Sequence, residues 1–164
     1  MQAEHIVIRP IRPEDDAPLS RIIRSNLEQF HLDIPGTAYF DPELDHLSRH
    51  YRAAPDRRAY FVAVDEAGRV LGGVGLAEFS GFSHCAELQK LYLAEVVKGR
   101  GLGSRLMQQV QSCARGLGYG QMYLETHSNL QAAIRLYEKL GFQRIRRPEG
   151  VMHSTMDHFY LKEL

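Results

Sequence analysis

The sequence predicts an α+β fold with a mixed, mostly antiparallel central sheet that is flanked by helices. The first observation is the predicted element order βααβββαβαββ. It follows from segments in which apolar residues alternate, as in strands, and segments in which they recur at helical spacing. The second is a hairpin pattern, because strands at 60–64 and 70–79 flank a short polar turn and are expected to pair antiparallel. No repeat, linker or low-complexity tract divides the 164 residues, so a single domain over residues 1–164 is expected.

The N-terminal third combines one strand with two helices. Residues 6–8 begin the first strand, and Pro13 opens the first helix ahead of a run of carboxylates. The apolar stripe of this helix comprises Leu19, Ile22, Ile23, Leu27 and Phe30. After an irregular loop at 31–40, Asp41 followed by proline predicts the start of a second helix that reaches about residue 52.

The remaining elements alternate between strands and helices. After the hairpin they are, in chain order, a strand at 85–93, a helix from 102 to about 117, a strand at 121–126, a helix at 129–140 and closing strands at 142–146 and 156–161. The apolar stripe of the helix that begins at residue 102 comprises Leu102, Leu106, Val110, Cys113, Ala114 and Leu117. Gly72, Gly73 and Gly75 weaken the second hairpin strand, which indicates that another group approaches its backbone closely.

Composition and charge exclude several classes of protein. Lys and Arg together number 20, as do Asp and Glu, so no net field draws the chain to nucleic acid or to a membrane. No apolar run approaches the ~20 residues of a membrane span, and residues 1–5 do not resemble a signal peptide, so a cytoplasmic location is expected. The two cysteines fit reduced thiols better than a disulfide scaffold. His46 and His50 share a helical face without a convincing third ligand, so no metal site is predicted.

The most informative stretch is the glycine-rich turn at residues 97–104, between a strand and a helix. Its glycines let a ligand approach the backbone, and the first N–H groups of a helix attract anions. Lys98, Arg100 and Arg105 add positive charge around the turn. A phosphate or pyrophosphate ligand is therefore predicted, while a turn that only joins strand to helix stays open.

Two common phosphate-binding loops do not match this turn. A nucleotide P-loop requires a Lys-Ser or Lys-Thr pair after its glycines, and none follows here. A dinucleotide-binding turn has the spacing G-x-G-x-x-G, whereas Gly99, Gly101 and Gly103 are spaced G-x-G-x-G.

Two stretches resemble a known family. Residues 98–103, K-G-R-G-L-G, resemble the [Q/R]-x-x-G-x-[G/A] motif of the GNAT superfamily, the acetyl-CoA-dependent N-acyltransferases, with Lys98 in place of the usual Gln or Arg. Residues 129–142, N-L-Q-A-A-I-R-L-Y-E-K-L-G-F, look like the second motif of the same family. The resemblance is strong over about residues 71–142, and it implies the GNAT fold and acetyl-CoA as co-substrate.

The resemblance also implies which residues bind acetyl-CoA. The pantetheine arm would pair with main-chain groups of the strand at 85–93, and the pyrophosphate would lie on the glycine-rich turn. The implied set is Leu91, Leu93, Lys98, Gly99, Arg100, Gly101, Leu102, Gly103, Ser104, Asn129 and Tyr137. Asn129 is expected in two roles, as N-cap of the helix at 129–140 and as a polar contact to CoA.

Glu87 is the candidate general base. In GNAT enzymes that use a glutamate on this strand, it stands eleven residues before the Q/R position, and Glu87 stands eleven before Lys98. Strand alternation predicts that Glu87 shares a face with Leu91 and Leu93 unless a bulge intervenes. A solvent-facing carboxylate, or one that binds a positive charge of the substrate, stays open, and Glu78 is the second candidate base.

Tyr137 matches the family's tyrosine near the CoA sulfur. A thiolate that leaves a tetrahedral intermediate needs a proton or a hydrogen bond, and tyrosine is a weaker acid than a thiol. Tyr137 is therefore interpreted as a hydrogen-bond donor first and a general acid second, while plain helix packing stays open. His127, just before the second motif, is interpreted as a turn residue rather than a base.

These residues favour an N-acetyltransferase that moves the acetyl group of acetyl-CoA to a primary amine by direct attack in a ternary complex. Cys85 and Cys113 lack the pattern of a catalytic triad, which argues against a covalent acyl-enzyme. The alternative is a non-catalytic module of the same fold that binds CoA or acyl-CoA as a sensor.

The acceptor pocket is expected within residues 31–58, where charges of both signs select no substrate class. A small-molecule amine is favoured over a protein, because no extended acidic or basic groove is evident. Exposed sheet edges at the C-terminal strands leave a homodimer open.

Overall fold

The computed structural model describes residues 5–164, in which one seven-stranded sheet carries four α-helices. The strands are β1 (Val7–Pro10), β2 (Ala59–Val64), β3 (Val70–Phe79), β4 (Cys85–Leu93), β5 (Gln121–Thr126), β6 (Gln143–Ile145) and β7 (His158–Glu163). The helices are α1 (Asp16–Gln29), α2 (Leu47–Arg52), α3 (Leu102–Gly116) and α4 (Gln131–Lys139). Residues 1–4, which entered the signal-peptide prediction, lie outside the described residues.

The strand order across the sheet is β1-β2-β3-β4-β5-β7-β6. Neighbouring strands pair antiparallel except β4 and β5, which pair parallel. The predicted α+β class, the mostly antiparallel sheet and the order βααβββαβαββ are thereby confirmed.

The helices cover both faces of the sheet, as their apolar stripes require. On one face, Leu19, Ile23 and Leu27 of α1 are buried against β2 and residues near α2. On the other face, the buried side chains of α3 and α4 pack against β2, β3, β4 and β5. Those of α3 include Leu102, Leu106, Val110 and Ala114, four members of the stripe predicted from helical spacing.

Two predicted helix starts are wrong. The second helix begins at Leu47 rather than near Asp41, because the Asp41 carboxylate accepts from Lys90 at 2.7 Å instead of capping a helix. The last helix begins at Gln131 with Leu130 as its N-cap residue, so Asn129 is not the N-cap. Its side-chain amide Nδ2 instead donates to the Phe30 carbonyl at 2.9 Å.

Strand β4 contains a β-bulge that the alternation pattern does not reveal. Gly73 pairs with Tyr92 and Gly75 pairs with Gln89, so two residues of β4 lie opposite one residue of β3. Lys90, one of those two, has φ 50°, and its carbonyl accepts from the Tyr60 hydroxyl at 2.9 Å. A Cβ on Gly73 would lie 2.4 Å from the Tyr60 ring, which is the close approach that the glycines of this strand predicted.

The bulge reverses the side-chain alternation of β4. Leu91 and Leu93 pack with the α3 and α4 side, whereas Gln89 accepts from the Tyr51 hydroxyl on the α1 and α2 side. The prediction that Glu87 shares a face with Leu91 and Leu93 is therefore wrong. One extra residue in a strand places side chains that follow it on the opposite face.

Strands β4 and β5 separate soon after they meet. They pair only from Cys85 with Gln121 to Glu87 with Tyr123, although both strands continue. Beyond Glu87 the two strands diverge, and the space between them opens into a cavity. Glu87 thus lies at the point where the cavity begins.

Candidate active site

A single cavity of about 470 Å³ extends between the diverging strands. One end is lined by the glycine-rich turn, with Lys98, Gly101 and Ser104. The middle is lined by β4 and α4, and the other end by Glu87, Glu125 and His153. The cavity therefore joins the predicted anion site to the predicted base.

The glycine-rich turn has the geometry of an anion-binding helix start. Gly99 and Gly101 adopt φ of 77° and 80°, a left-handed conformation that side-chain-bearing residues rarely adopt. Gly101 is the N-cap residue of α3 and supplies no capping side chain, so the first amides of this 15-residue helix are free of side-chain capping. These amides lie at the cavity and can bind a phosphate group.

The cations around this turn differ in their placement. Lys98 lines the cavity, pairs with Glu95 at 2.9 Å and lies over the Phe30 ring at 5.3 Å. Arg105 donates to the carbonyl of Ile6 at 3.0 Å and is not among the cavity-lining residues. Lys98 thus places its positive charge at the cavity, whereas Arg105 binds the N-terminal segment at Ile6.

Leu91, Leu93 and Tyr137 line the middle of the cavity, where β4 has lost its partner strand. Tyr137 is buried on α4, with its ring centroid 6.0 Å from that of Phe142 and 6.5 Å from that of Tyr160. Burial raises the pKa of Tyr137, so its hydroxyl keeps its proton at neutral pH. A buried hydroxyl of this kind can donate a hydrogen bond to a developing negative charge.

Glu87 is held at the cavity by a short chain of hydrogen bonds. The Tyr51 hydroxyl donates to Gln89 at 2.7 Å, and the Gln89 amide donates to Glu87 Oε1 at 2.6 Å. Burial and the neighbouring Glu125 carboxylate raise the pKa of Glu87 to about 7. A carboxyl group with this pKa exchanges a proton readily at neutral pH, as a general base must.

Several sequence-predicted residues lie away from the cavity lining. Glu78, the second candidate base, forms an ion pair with Arg58 at 2.6 Å, and this contact lowers the pKa of Glu78. Leu102 is a core residue of α3, and neither Arg100 nor Asn129 is among the cavity-lining residues. Within the range 31–58, Ala38 lines the cavity directly.

Sequence reasoning missed the ionic cluster at the Glu87 end. His153 lies 2.8 Å from Asp41 and 3.1 Å from Glu125, and Glu125 also accepts from the Tyr123 hydroxyl at 2.9 Å. Lys90, 4% exposed, pairs with Asp41 at 2.7 Å and with Glu43 at 3.3 Å. These residues come from four distant segments, and no periodicity or spacing signal links them.

The described residues 5–164 contain no group of three or more His, Cys, Asp and Glu side chains that could hold a metal ion. Within the same range, none of the helices has the length and apolar character that a membrane crossing requires.

Comparison with known proteins identifies the family. The model of the acetyltransferase (GNAT) family matches residues 25–142. An Escherichia coli (strain K12) protein described as an uncharacterized N-acetyltransferase, YjgM, is 37% identical over 161 residues, which cover 96% of this chain and 95% of that protein. The chain therefore belongs to the GNAT family, and its class is that of acetyl-CoA-dependent acyltransferases.

Solved structures show the same fold at lower identity. A GNAT-family acetyltransferase from Staphylococcus aureus Mu50 superposes with a TM-score of 0.87 at 19% identity, over 98% of this chain and 99% of that one. A GNAT phosphinothricin acetyltransferase from Sinorhizobium meliloti, solved in complex with acetyl-CoA, gives a TM-score of 0.75 at 21% identity, over 97% of this chain and 88% of that one.

Proposed function

We propose that this enzyme transfers the acetyl group of acetyl-CoA to the primary amine of a small molecule, by direct attack in a ternary complex. The observation that carries the proposal is the single cavity that joins the amide-rich start of α3 to the buried carboxylate of Glu87, with Tyr137 between them along the lining. Both substrates can occupy one such cavity together.

Acetyl-CoA would enter from the α3 end. The pyrophosphate would bind the main-chain amides of residues 101–104, with Lys98 beside it. The pantetheine arm would lie along β4 at Leu91 and Leu93, where the strand has no pairing partner on the β5 side. This placement brings the thioester toward Tyr137.

Glu87 would act as the general base. Deprotonating an amine with a lysine-like pKa costs about 4.6 kcal/mol at pH 7, so a base that accepts this proton lowers the barrier. The neutral amine then attacks the thioester carbonyl, and the new C–N bond forms. As the C–S bond breaks, the attacking nitrogen loses its second proton, and CoA leaves as a thiolate that accepts a hydrogen bond from Tyr137. The second proton neutralises this thiolate, and the proton first taken by Glu87 returns to solvent.

A covalent route through cysteine is disfavoured by the environment of both thiols. Burial raises the pKa of Cys85 to about 11, and burial also raises the pKa of Cys113. The thiolate is the nucleophilic form of cysteine, and neither residue lines the cavity.

A small acceptor fits the Glu87 end of the cavity better than a protein segment, because the chain itself crosses this end at His153 and Met156. The segment between β6 and β7 crosses this end and is joined to the loop between α1 and α2, where the Thr155 amide donates to the Gly36 carbonyl at 3.1 Å. The structural neighbour from Sinorhizobium meliloti is described as a phosphinothricin acetyltransferase, a name that specifies a small-molecule acceptor for that protein.

Thiol release from acetyl-CoA in the presence of a panel of small amines tests the proposal. The expected result is amine-dependent CoA release, with acetylated product found by mass spectrometry. Calorimetry with CoA and with ATP accompanies it, and only CoA is expected to bind. CoA binding without turnover on small amines or on peptides would contradict the enzyme and support the sensor alternative, and turnover on peptides alone would contradict the small acceptor.

A further inference from the structure

His153 connects three segments that are far apart in the chain. It lies in the connection 146–157 between β6 and β7, and its ring nitrogens contact Asp41, which precedes α2, and Glu125 on β5. Its backbone N–H also donates to Glu125 at 3.3 Å. Thr155, two residues further on, donates its hydroxyl to the Pro35 carbonyl at 2.7 Å, so the same two segments are joined twice.

The contacts of the ring define its protonation state. Nε2 lies 2.8 Å from Asp41 Oδ1, and Nδ1 lies 3.1 Å from Glu125 Oε1. Ionised carboxylates only accept hydrogen bonds, and a neutral imidazole has one N–H, so both contacts are satisfied only when the ring carries two protons. Burial opposes this charge, but the hydrogen bonds to Asp41 and Glu125 outweigh it and raise the pKa of His153 to about 9.

The surrounding charges make this imidazolium a counterion for the carboxylates at the Glu87 end of the cavity, where the acceptor is proposed to bind. The charged and titratable groups that face His153 and Glu87 from the packed elements are Asp41 and Glu43 before α2, Tyr51 on α2, Lys90 on β4, and Tyr123 and Glu125 on β5. Lys90 is already held by Asp41 and Glu43. Within residues 5–164, His153 is the cation in ion-pair contact with Glu125, the carboxylate that repels the charge of Glu87.

We propose that His153 is a positioning residue of the acceptor site, which as an imidazolium fixes Glu125 and Asp41 across the end of the cavity and offsets the Glu125 charge that Glu87 faces. The inference rests on the proposed function, because it assigns a role beside the base Glu87. His153 does not act as the base itself, since both of its ring nitrogens already donate.

Removing the imidazolium has a defined electrostatic consequence. In His153→Gln the amide NH2 can still donate to a carboxylate, but the side chain carries no charge, so Glu125 repels the carboxylate of Glu87 without compensation. The acidic limb of the kcat/KM profile should therefore move to higher pH by at least about half a unit. In a Glu125→Gln background there is no charge to offset, so the same substitution should move the limb by less than half as much.

A kinetic and a spectroscopic measurement together test this inference. The kcat/KM profile is recorded from pH 5 to 9 for the parent, His153→Gln, Glu125→Gln and the double variant, with His158→Gln as the matched control. His158 contacts Asp157 at 2.8 Å and does not line the cavity, so its variant should keep the parental limb. NMR titration of the parent histidine rings should find one ring, absent from the His153→Gln spectrum, that titrates near pH 9.

The outcomes separate this inference from the proposed function. A His153 ring that titrates near its ordinary pKa of about 6.5 overturns the inference without any assay of activity, even where a variant folds poorly. A 13C titration of the Glu87 carboxyl that is unchanged by His153→Gln also overturns it. If the carboxyl titration shifts but the kinetic limb does not follow, His153 has the proposed electrostatic role, and the assignment of Glu87 as base fails.

Discussion

Glu87 and Tyr137 differ from surface residues of the same types because both are withdrawn from water at one cavity. Burial and the Glu125 charge bring the pKa of Glu87 to about 7, and burial raises the pKa of Tyr137. One group therefore exchanges its proton near neutral pH, and the other keeps it. These are the properties required of a base and of a hydrogen-bond donor.

The first prediction concerns the Tyr137 hydroxyl. Tyr137→Phe keeps the ring and its packing, so the free energy of unfolding should change by no more than ~1 kcal/mol. If the hydroxyl stabilises the departing thiolate, kcat should fall at least tenfold with little change in the KM for acetyl-CoA, within the ~10²–10⁴-fold range of positioned acid catalysis. Tyr160→Phe is the matched control, because the hydroxyl of this buried tyrosine donates to Glu138 and Tyr160 does not line the cavity. Equal kcat values for Tyr137→Phe and the parent would exclude this role.

The second prediction concerns the Glu87 carboxylate. The parental kcat/KM should rise with pH through about 7 as Glu87 ionises. Glu87→Gln should lose this rise and fall about 10²-fold or more near pH 8, with partial recovery as the pH approaches the pKa of the acceptor amine. The control is Glu78→Gln, which removes an ion pair with Arg58 away from the cavity. A constant ratio of variant to parent from pH 6 to 9 would assign Glu87 to positioning rather than proton transfer.

At the scale of the secondary-structure elements, two backbone features position the candidate site. One lies in a turn and the other in a strand. The start of α3 presents amides to the cavity because Gly99 and Gly101 adopt the left-handed conformation. The bulge in β4 sends Glu87 and Gln89 to one face of the strand and Leu91 and Leu93 to the other. A base and a surface for the pantetheine arm can thus be supplied by a single strand.

The third prediction tests the start of α3. Gly101→Asp adds a negative charge where the phosphates are proposed to bind, so the affinity for CoA should fall at least tenfold, which corresponds to ~1.4 kcal/mol. Gly118→Asp is the matched control. Gly118 has a φ of 91° beyond the end of α3, and a Cβ on Gly101 or on Gly118 would meet no atom within 4 Å. Both variants carry the same type of backbone strain, and calorimetry should find weakened CoA binding only for Gly101→Asp. Equal affinities in the two folded variants would remove the turn from the site.

At the scale of the whole molecule, ion pairs near the diverging strands β4 and β5 connect segments that strand pairing does not join. Asp41 contacts both Lys90 and His153, and His153 contacts Glu125. These contacts hold the connection between β6 and β7 against the loop between α1 and α2. The stability of this arrangement should depend on pH through His153.

The fourth prediction follows from that dependence. The pKa of His153 is about 9 in the folded chain against 6.5 ordinarily, so its stabilising effect is fully present below about pH 6.5 and is lost as pH rises through about 9. This difference in pKa corresponds to about 3 kcal/mol of stability. Urea unfolding of the parent should therefore give a lower free energy of unfolding at pH 9 than at pH 7, and His153→Gln should reduce this difference. His158→Gln should retain the parental difference, and an identical pH dependence in all three proteins would contradict the prediction.

Local patterns were sufficient for the elements and for part of the site. The helical stripe that includes Leu106 and Val110, the glycines at 99 and 101, and Tyr137 in its helix all lie where the sequence predicts them. Glu87, which was selected by its spacing from Lys98, is a cavity-lining residue, and its role as general base stays a prediction. These predictions succeeded because each depends on residues within about one element, where backbone geometry determines the outcome.

The sequence by itself determined the α+β class, the order of the elements, the amide-rich turn and the residue types available for acyl transfer. The tertiary structure alone decided which face of β4 carries Glu87, since a single bulge at Lys90 reverses the alternation. It also decided that Asp41, Glu125 and His153 meet, and that Asn129 binds the Phe30 carbonyl instead of capping α4. The physical reason is that pairing register and ion pairs depend on segments as many as 112 residues apart, whose approach leaves no periodic trace in the chain.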